Sequence, residues 1–428
     1  MTTTRMGWLA STLAVIGLAA FAPSALGAFG TPVDVSASAA NPYVATDADG
    51  DAALTWEFGT ARAQARTLSA AGALGTIHEL GSTSGTTDRF ARVATDRSGD
   101  SVFAWTRFET FDAVFARRLS SGGTLSSLIQ IARGGDPGPF SAPEVATDRN
   151  GDTVFTWVNL GTIPDRVQAR TLSASGALGK IRNVSPAGAI GSEPQVATDR
   201  SGDSMLTWVR EDGIDGDGDI VQARQISVNG SLGPIKDVSA PAGRAFAPQV
   251  ASDEDGDAVF TWLRFDGKRD RAQGRTMTSV GALGATFVLT PSGPSARDPQ
   301  VAIDANGDSV FTWQRFEGDS DRIQSRTRTA GGTLGAIRNL SAAGGDAYAP
   351  QVASRDDGAS VFVWLRFDGA NDRVEARSMT AGGSLGNIQT LSDAGADALT
   401  PQVAIGASSG PAVATWERAD VVQASRGP

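Results

Sequence analysis

Pro248 to Gly267 reads P-Q-V-A-S-D-E-D-G-D-A-V-F-T-W-L-R-F-D-G. Two runs of strand length flank the turn signal D-E-D-G-D. Its Gly suits a left-handed backbone position and its first Asp caps the turn through its side chain. In the second run Val259, Thr261 and Leu263 fall on one side of an extended strand, and Phe260 and Trp262 on the other. Both sides are largely apolar, so this strand is expected to be covered on both faces. Downstream, R-A-Q-G-R-T-M-T (Arg271 to Thr278) supplies a third strand. After a Gly-rich break, L-G-A-T-F-V-L-T (Leu283 to Thr290) supplies a fourth. These four strands are termed a, b, c and d.

The same text returns along the chain. Apart from Trp8, tryptophans stand at 56, 105, 157, 208, 262, 313, 364 and 416, a period near 50 residues. Such a period marks a repeat architecture. Four-stranded units of this size, covered by their neighbours, are the blades of a β-propeller. The rival, an open stack of small sheets, needs distinct polar caps. The chain ends argue against it. The last copy has strands a (Pro401 to Ala404), b (Ala412 to Arg418) and c (Val421 to Ser425) but lacks d. The segment A-F-G-T-P-V-D-V-S (Ala28 to Ser36) matches the d-type text A-L-G-T-I-H-E-L-G (Ala73 to Gly81). An orphan d at one end and a missing d at the other predict velcro closure. The expected fold is all-β: one domain, residues 28–428, an eight-bladed β-propeller with four antiparallel strands per blade.

Residues 1–27 read as a secretory signal peptide: Arg5, an apolar run from Trp8 to Ala22, then Ala25-Leu26-Gly27 before the cleavage point. The expected product is a secreted, extracellular or cell-envelope monomer with no membrane span after cleavage. The chain has no Cys and one His, His78. That excludes disulfides, thiolate metal sites and multi-His sites. A net charge of −10 argues against a nucleic-acid partner. Only three basic residues are Lys (Lys180, Lys236, Lys268), a bias common in high-GC bacterial proteomes.

The phrase A-x-D-x-x-G-D…W, as in Ala94 to Trp105, resembles the tryptophan-docking motif of eight-bladed quinoprotein dehydrogenases. There the Trp locks adjacent blades. Here Trp falls nine residues after the Asp, one later than in that family, and the Cys pair that holds the quinone is absent. The resemblance therefore implies blade packing. The same segment loosely resembles the Asp-box turn of sialidase-like propellers, enzymes that need an Arg cluster and a Tyr nucleophile. The two tyrosines, Tyr43 and Tyr348, lie in no such motif.

The Asp ending strand a recurs in six copies (Asp47, Asp96, Asp148, Asp199, Asp253, Asp304). It is expected to cap the a–b turn; the alternative is a carboxylate ring at the channel mouth, able to hold cations. Strand c carries Arg in seven copies (Arg66, Arg117, Arg170, Arg224, Arg275, Arg326, Arg377), expected to pair with a neighbouring carboxylate. Four b–c loops carry R-F-[DE]: Arg107-Phe108-Glu109, Arg264-Phe265-Asp266, Arg315-Phe316-Glu317 and Arg366-Phe367-Asp368. An aromatic ring beside charged groups suits sugars, the ring stacking on C–H faces and the charges bonding hydroxyls. Repetition adds multivalency. The same residues also suit a plain hairpin whose Phe packs on the blade edge and whose Arg pairs with the Asp. In the fourth copy Asp215, Asp217 and Asp219 alternate with Gly, with Asp212 just before, a pattern able to wrap Ca²⁺. No residue stands out as catalytic. The expected function is binding of a glycan, or of an envelope or extracellular protein, through blade loops. The alternative is an extracellular carbohydrate-active hydrolase or lyase. It predicts one asymmetric cleft with one or two buried carboxylates of raised pKa.

Overall fold

The structure is a computed structural model that describes residues 27–428 apart from 60, 82–85, 110–111, 134–139, 213–217 and 242. Residues 1–26, most of the expected signal peptide, lie outside the described residues. The chain forms eight four-stranded antiparallel sheets, and no helix occurs among the described residues. Blade 5 is representative: a is Ala245–Ser252, b is Ala258–Phe265, c is Asp270–Met277 and d is Phe287–Val288. Blade 8 pairs a (Ala398–Ile405), b (Ala412–Arg418) and c (Val421–Arg426) with a fourth strand from the other end of the chain, Val33–Ala37. The predicted velcro is therefore present. It is fastened beyond its ladder by Gly30 N–H to the Arg426 carbonyl at 2.8 Å and by the Ser425 hydroxyl to the Gly30 carbonyl at 2.7 Å.

Strand b is buried on both faces, as its pattern demands: Val259, Phe260, Thr261, Trp262 and Leu263 are all buried. Each repeat Trp packs on the preceding blade. Trp262 meets Met205, Val221, Ala223 and Val238 of blade 4, and Trp56 meets Val413, Val422 and Ala424 of blade 8, closing the ring. This is the interlocking that the tryptophan-docking resemblance implies.

The six Asp side chains do cap the a–b turns. Asp253 Oδ1, for instance, accepts the backbone N–H groups of Asp255 and Asp257, each at 3.0 Å. The turn glycine is required twice over. Gly256 has φ +85°, and a Cβ there would lie 2.7 Å from Asp199 Oδ2 of the preceding blade. The capping carboxylates thus turn their second oxygen to the next blade.

The strand-c arginines differ from expectation. Six of the seven bind backbone carbonyls, not carboxylates; the exception is Arg117 of blade 2, whose buried Nε has no partner among the described residues. Arg377 donates Nε to the Gly386 carbonyl at 2.8 Å and Nη1 to the Leu340 carbonyl of blade 6 at 3.0 Å. Arg66, Arg170, Arg224, Arg275 and Arg326 repeat this clamp. The short outer strands leave carbonyls facing the next blade, and the planar guanidinium fork reaches two strands at once.

Strand a has a feature the repeat text does not announce. Seven of the eight copies hold a non-Gly residue at positive φ near a bulge: Asn41, Phe90, Glu193, Ala247, Asp298, Ala349 and Thr400. Blade 3 has none among the described residues, and its strand a is shortened to Glu144–Thr147. The bulged N–H groups of Asn41, Phe90 and Ala247 donate to Glu417, Glu57 and Glu193 of the preceding blades.

A candidate ligand-binding face

The b–c hairpins and the d-to-a connectors share one face of the ring. Arg264 Nη1 reaches the Ala240 carbonyl of a connector at 3.0 Å, and Phe265 N–H reaches the Arg244 carbonyl at 2.9 Å. The a–b and c–d turns share the other face, as the bond from Ser279 N–H to Asp257 shows.

The four R-F-[DE] loops divide their side chains. The arginines turn inward. Arg315 and Arg366 bind connector carbonyls (Pro291, Ser292 and Pro294; Ala342 and Ala343), as Arg264 does. Arg107 instead forms a buried pair with Asp88, Nε to Oδ1 at 2.7 Å, with Glu109 3.8 Å away. The acidic residues serve the hairpin. Asp266 accepts the N–H groups of Arg269 and Lys268 and pairs with Arg271 at 2.8 Å, which holds its carboxyl down to about 2. Asp368 accepts the N–H groups of Asn371 and Ala370 and pairs with Arg373, which lowers its carboxyl, and Glu317 lies 3.6 Å from Arg322. The rings are left outside: Phe265, Phe316 and Phe367 are 38%, 48% and 44% exposed, on three consecutive blades. Phe108 is half-buried, edge-on to Phe90 at 6.0 Å.

Of the acidic loop in blade 4, Asp215 and Asp217 lie outside the described residues. Asp212 donates its N–H to Asp219 Oδ1 at 3.2 Å, and burial pushes the Asp219 carboxyl up. Among the described residues no group of three or more acidic or imidazole side chains is placed to hold a metal ion. His78 lies half-buried in strand d of blade 1.

The departure from eightfold symmetry is clustered. In the P-x-V-A text of strand a, x is Gln in five copies: Gln195, Gln249, Gln300, Gln351 and Gln402. In the three consecutive blades 1 to 3 it is Tyr43, Arg92 and Glu144, and blade 2 also replaces the Pro with Ala91. The ring brings these three together. The Arg92 guanidinium lies 3.8 Å from the Tyr43 ring centroid, and Nε donates to Glu144 Oε1 at 3.2 Å. Sequence reading passed over this trio, although the substituted column was visible in the aligned repeats.

Beside it, on the connector face, a cavity of about 590 Å³ spans blades 3 to 5. Its polar wall includes Glu144, Asp165, Glu193, Glu211, Gln195 and Gln249, and its apolar wall Val158, Leu160 and Ile190. Burial pushes the Glu144 carboxyl up, and Arg92 partly offsets this. Burial also raises Glu193. The Ala247 N–H opposes that rise, the nearby Glu211 charge adds to it, Arg244 opposes it, and Asp219 adds to it. Glu211 accepts the Ser192 hydroxyl.

The opposite mouth is spanned by charge. Arg97 of blade 2 reaches Glu254 of blade 5 at 3.1 Å, Asp356 of blade 7 at 3.7 Å and the Ser408 hydroxyl of blade 8 at 3.1 Å. All three charged side chains are partly exposed, so Arg97→Ala is expected to cost no more than ~1 kcal/mol. Hydrogen exchange should nevertheless quicken in the a–b turns of blades 5 and 7. Unchanged exchange there would show that the strap holds nothing.

No protein-family model matches the chain, and no curated protein matches it. Solved structures do. The BP39L lectin of Burkholderia pseudomallei is 10% identical with a TM-score of 0.54, covering 84% of this chain and 100% of its own. The propeller domain of the trilobed protease of Pyrococcus furiosus is 9% identical at a TM-score of 0.48, covering 86% and 98%. The α-L-arabinanase of Penicillium chrysogenum is 12% identical at 0.41, covering 67% and 93%. At these identities the likeness concerns the fold. The chain is an eight-bladed β-propeller. No helix among the described residues is long and apolar enough to cross a membrane.

Proposed function

We propose that this propeller binds glycans on its connector face. One residue docks in the cavity of blades 3 to 5, and the chain continues over the exposed rings of blades 5 to 7. The observation that carries the reading is the clustered break in symmetry. A repeat that keeps Gln at one strand-a position in five blades replaces it with Tyr43, Arg92 and Glu144 beside a polar cavity of about 590 Å³. Carboxylates and amides suit sugar hydroxyls, and Val158, Leu160 and Ile190 suit C–H faces. The lectin neighbour fits a glycan role but lends the fold alone.

A glycan array followed by calorimetry tests this. The triple variant Phe265→Ala, Phe316→Ala, Phe367→Ala is expected to weaken oligosaccharide binding about tenfold or more, on the scale of aromatic anchors. It should leave the melting temperature nearly unchanged. Absence of any binder on a broad array, with folded protein, would sink the reading.

A second reading has its own support. The cavity is one asymmetric cleft with two carboxylates, Glu144 and Glu193, raised by burial. That is the arrangement expected of a carbohydrate-active hydrolase or lyase. Turnover on a polysaccharide panel, abolished by Glu193→Gln, would favour it over binding alone.

A further inference from the structure

We infer that the sugar unit docking in the cavity of blades 3 to 5 carries a free ammonium group, making the ligand an amino sugar with an unblocked amine. The inference rests on the glycan reading and adds its class. The cavity itself and the break in symmetry locate the site; its charge then selects the ligand. Among the described residues four carboxylates line it (Glu144, Asp165, Glu193, Glu211), and no Lys or Arg does.

The internal partners of these groups are few. Glu144 gives one oxygen to Arg92, so its charge is balanced within the protein. Glu193 takes only a neutral backbone N–H, that of Ala247, and Glu211 takes a neutral hydroxyl, that of Ser192. Arg244 is the cation that acts on Glu193, and its guanidinium lies over the Phe246 ring at 4.4 Å. Glu193 and Glu211 repel each other across a partly desolvated space. A hydroxyl on the ligand leaves that repulsion in place. An ammonium relieves it and makes charge-assisted hydrogen bonds. An anionic sugar would add to it.

The probes are two tetrasaccharides of equal length, fully deacetylated chitosan tetraose and fully N-acetylated chitin tetraose. Binding is measured by calorimetry at low and high NaCl. The deacetylated tetraose is expected to bind at least tenfold more tightly. That margin should shrink as salt screens the carboxylates. Below the pH at which the ligand amines are fully protonated, it should also shrink as Glu193, whose carboxyl is raised by burial, takes up a proton. The isosteric double variant Glu193→Gln, Glu211→Gln should bind the two tetraoses equally.

Equal or tighter binding of the acetylated tetraose overturns the inference. So does a margin indifferent to both salt and the double variant. The salt series uses the unaltered protein, so the test survives a variant that folds poorly. Failure of both tetraoses to bind also overturns it. Binding of neutral sugars on an array would then leave the broader glycan reading intact.

Discussion

Removal of Phe29 to Ser36 is expected to abolish the cooperative unfolding transition, or to lower its midpoint by ~10 °C or more. This segment supplies most of the outer strand of blade 8, and its loss acts on two blades. Val35 is fully buried in the cluster that holds Trp56 of blade 1. Losing it alone costs about 1.5–3 kcal/mol. The Val35 carbonyl also receives the Arg66 clamp at 2.7 Å, so the charged guanidinium of blade 1 loses an acceptor. On the other side Phe29 packs on blade 7 and blade 8 residues, and its N–H donates to Gln389. Asp34 accepts from Gln423 at 2.8 Å. Each lost hydrogen bond adds about 1 kcal/mol, more where charge is involved. The sum approaches the whole stability of an ordinary domain, about 5–15 kcal/mol. Calorimetry with size-exclusion chromatography measures it. A truncated protein that melts like the full chain would show that the ring does not depend on its closure.

The second large effect concerns the repeat Trp. Trp313→Ala is expected to cost about 3–5 kcal/mol by opening a cavity between blades 5 and 6. A finer comparison separates packing from hydrogen bonding. The Trp313 indole N–H donates to Gln324 Oε1 at 3.2 Å, whereas those of Trp157, Trp208 and Trp262 have no partner among the described residues. Trp313→Phe should therefore cost ~1 kcal/mol more than Trp262→Phe, since only the former breaks a buried bond. Urea unfolding with an unchanged slope measures both. Equal costs would mean that the indole N–H contributes nothing in blade 6. Blade 2 illustrates the alternative arrangement. There Phe115 replaces the cross-strand Gln, and Trp105 donates instead to Asp88 at 2.9 Å, beside the Arg107 guanidinium.

Particular residues show how far local pattern reaches. The two-sided burial of Val259 to Leu263 follows from alternation alone, because successive side chains of a strand point to opposite faces. The Asp253 cap follows from turn chemistry within five residues. The strand-c Arg was misjudged because its acceptors are backbone carbonyls, which sequence does not distinguish from one another. The R-F-[DE] loops were read as one cluster of three groups, yet the fold separates them. Arginine goes to the connectors, the acid to its own hairpin and the ring to solvent. Glu193 was missed because its neighbours Ala247 and Glu211 belong to different strands.

From the sequence by itself came the strand order, the eight copies, the turn caps, the packing role of Trp and the closure by the first strand. These depend on period-two alternation, short turns and internal repetition, all of which are local or self-referential. Only the tertiary structure decided that Tyr43, Arg92 and Glu144, each about one repeat from the next, form a single cluster. It alone placed them beside a cavity on the connector face and laid Arg97 across the opposite mouth. Such contacts depend on the angle at which successive blades close around the axis, a quantity that no single repeat contains.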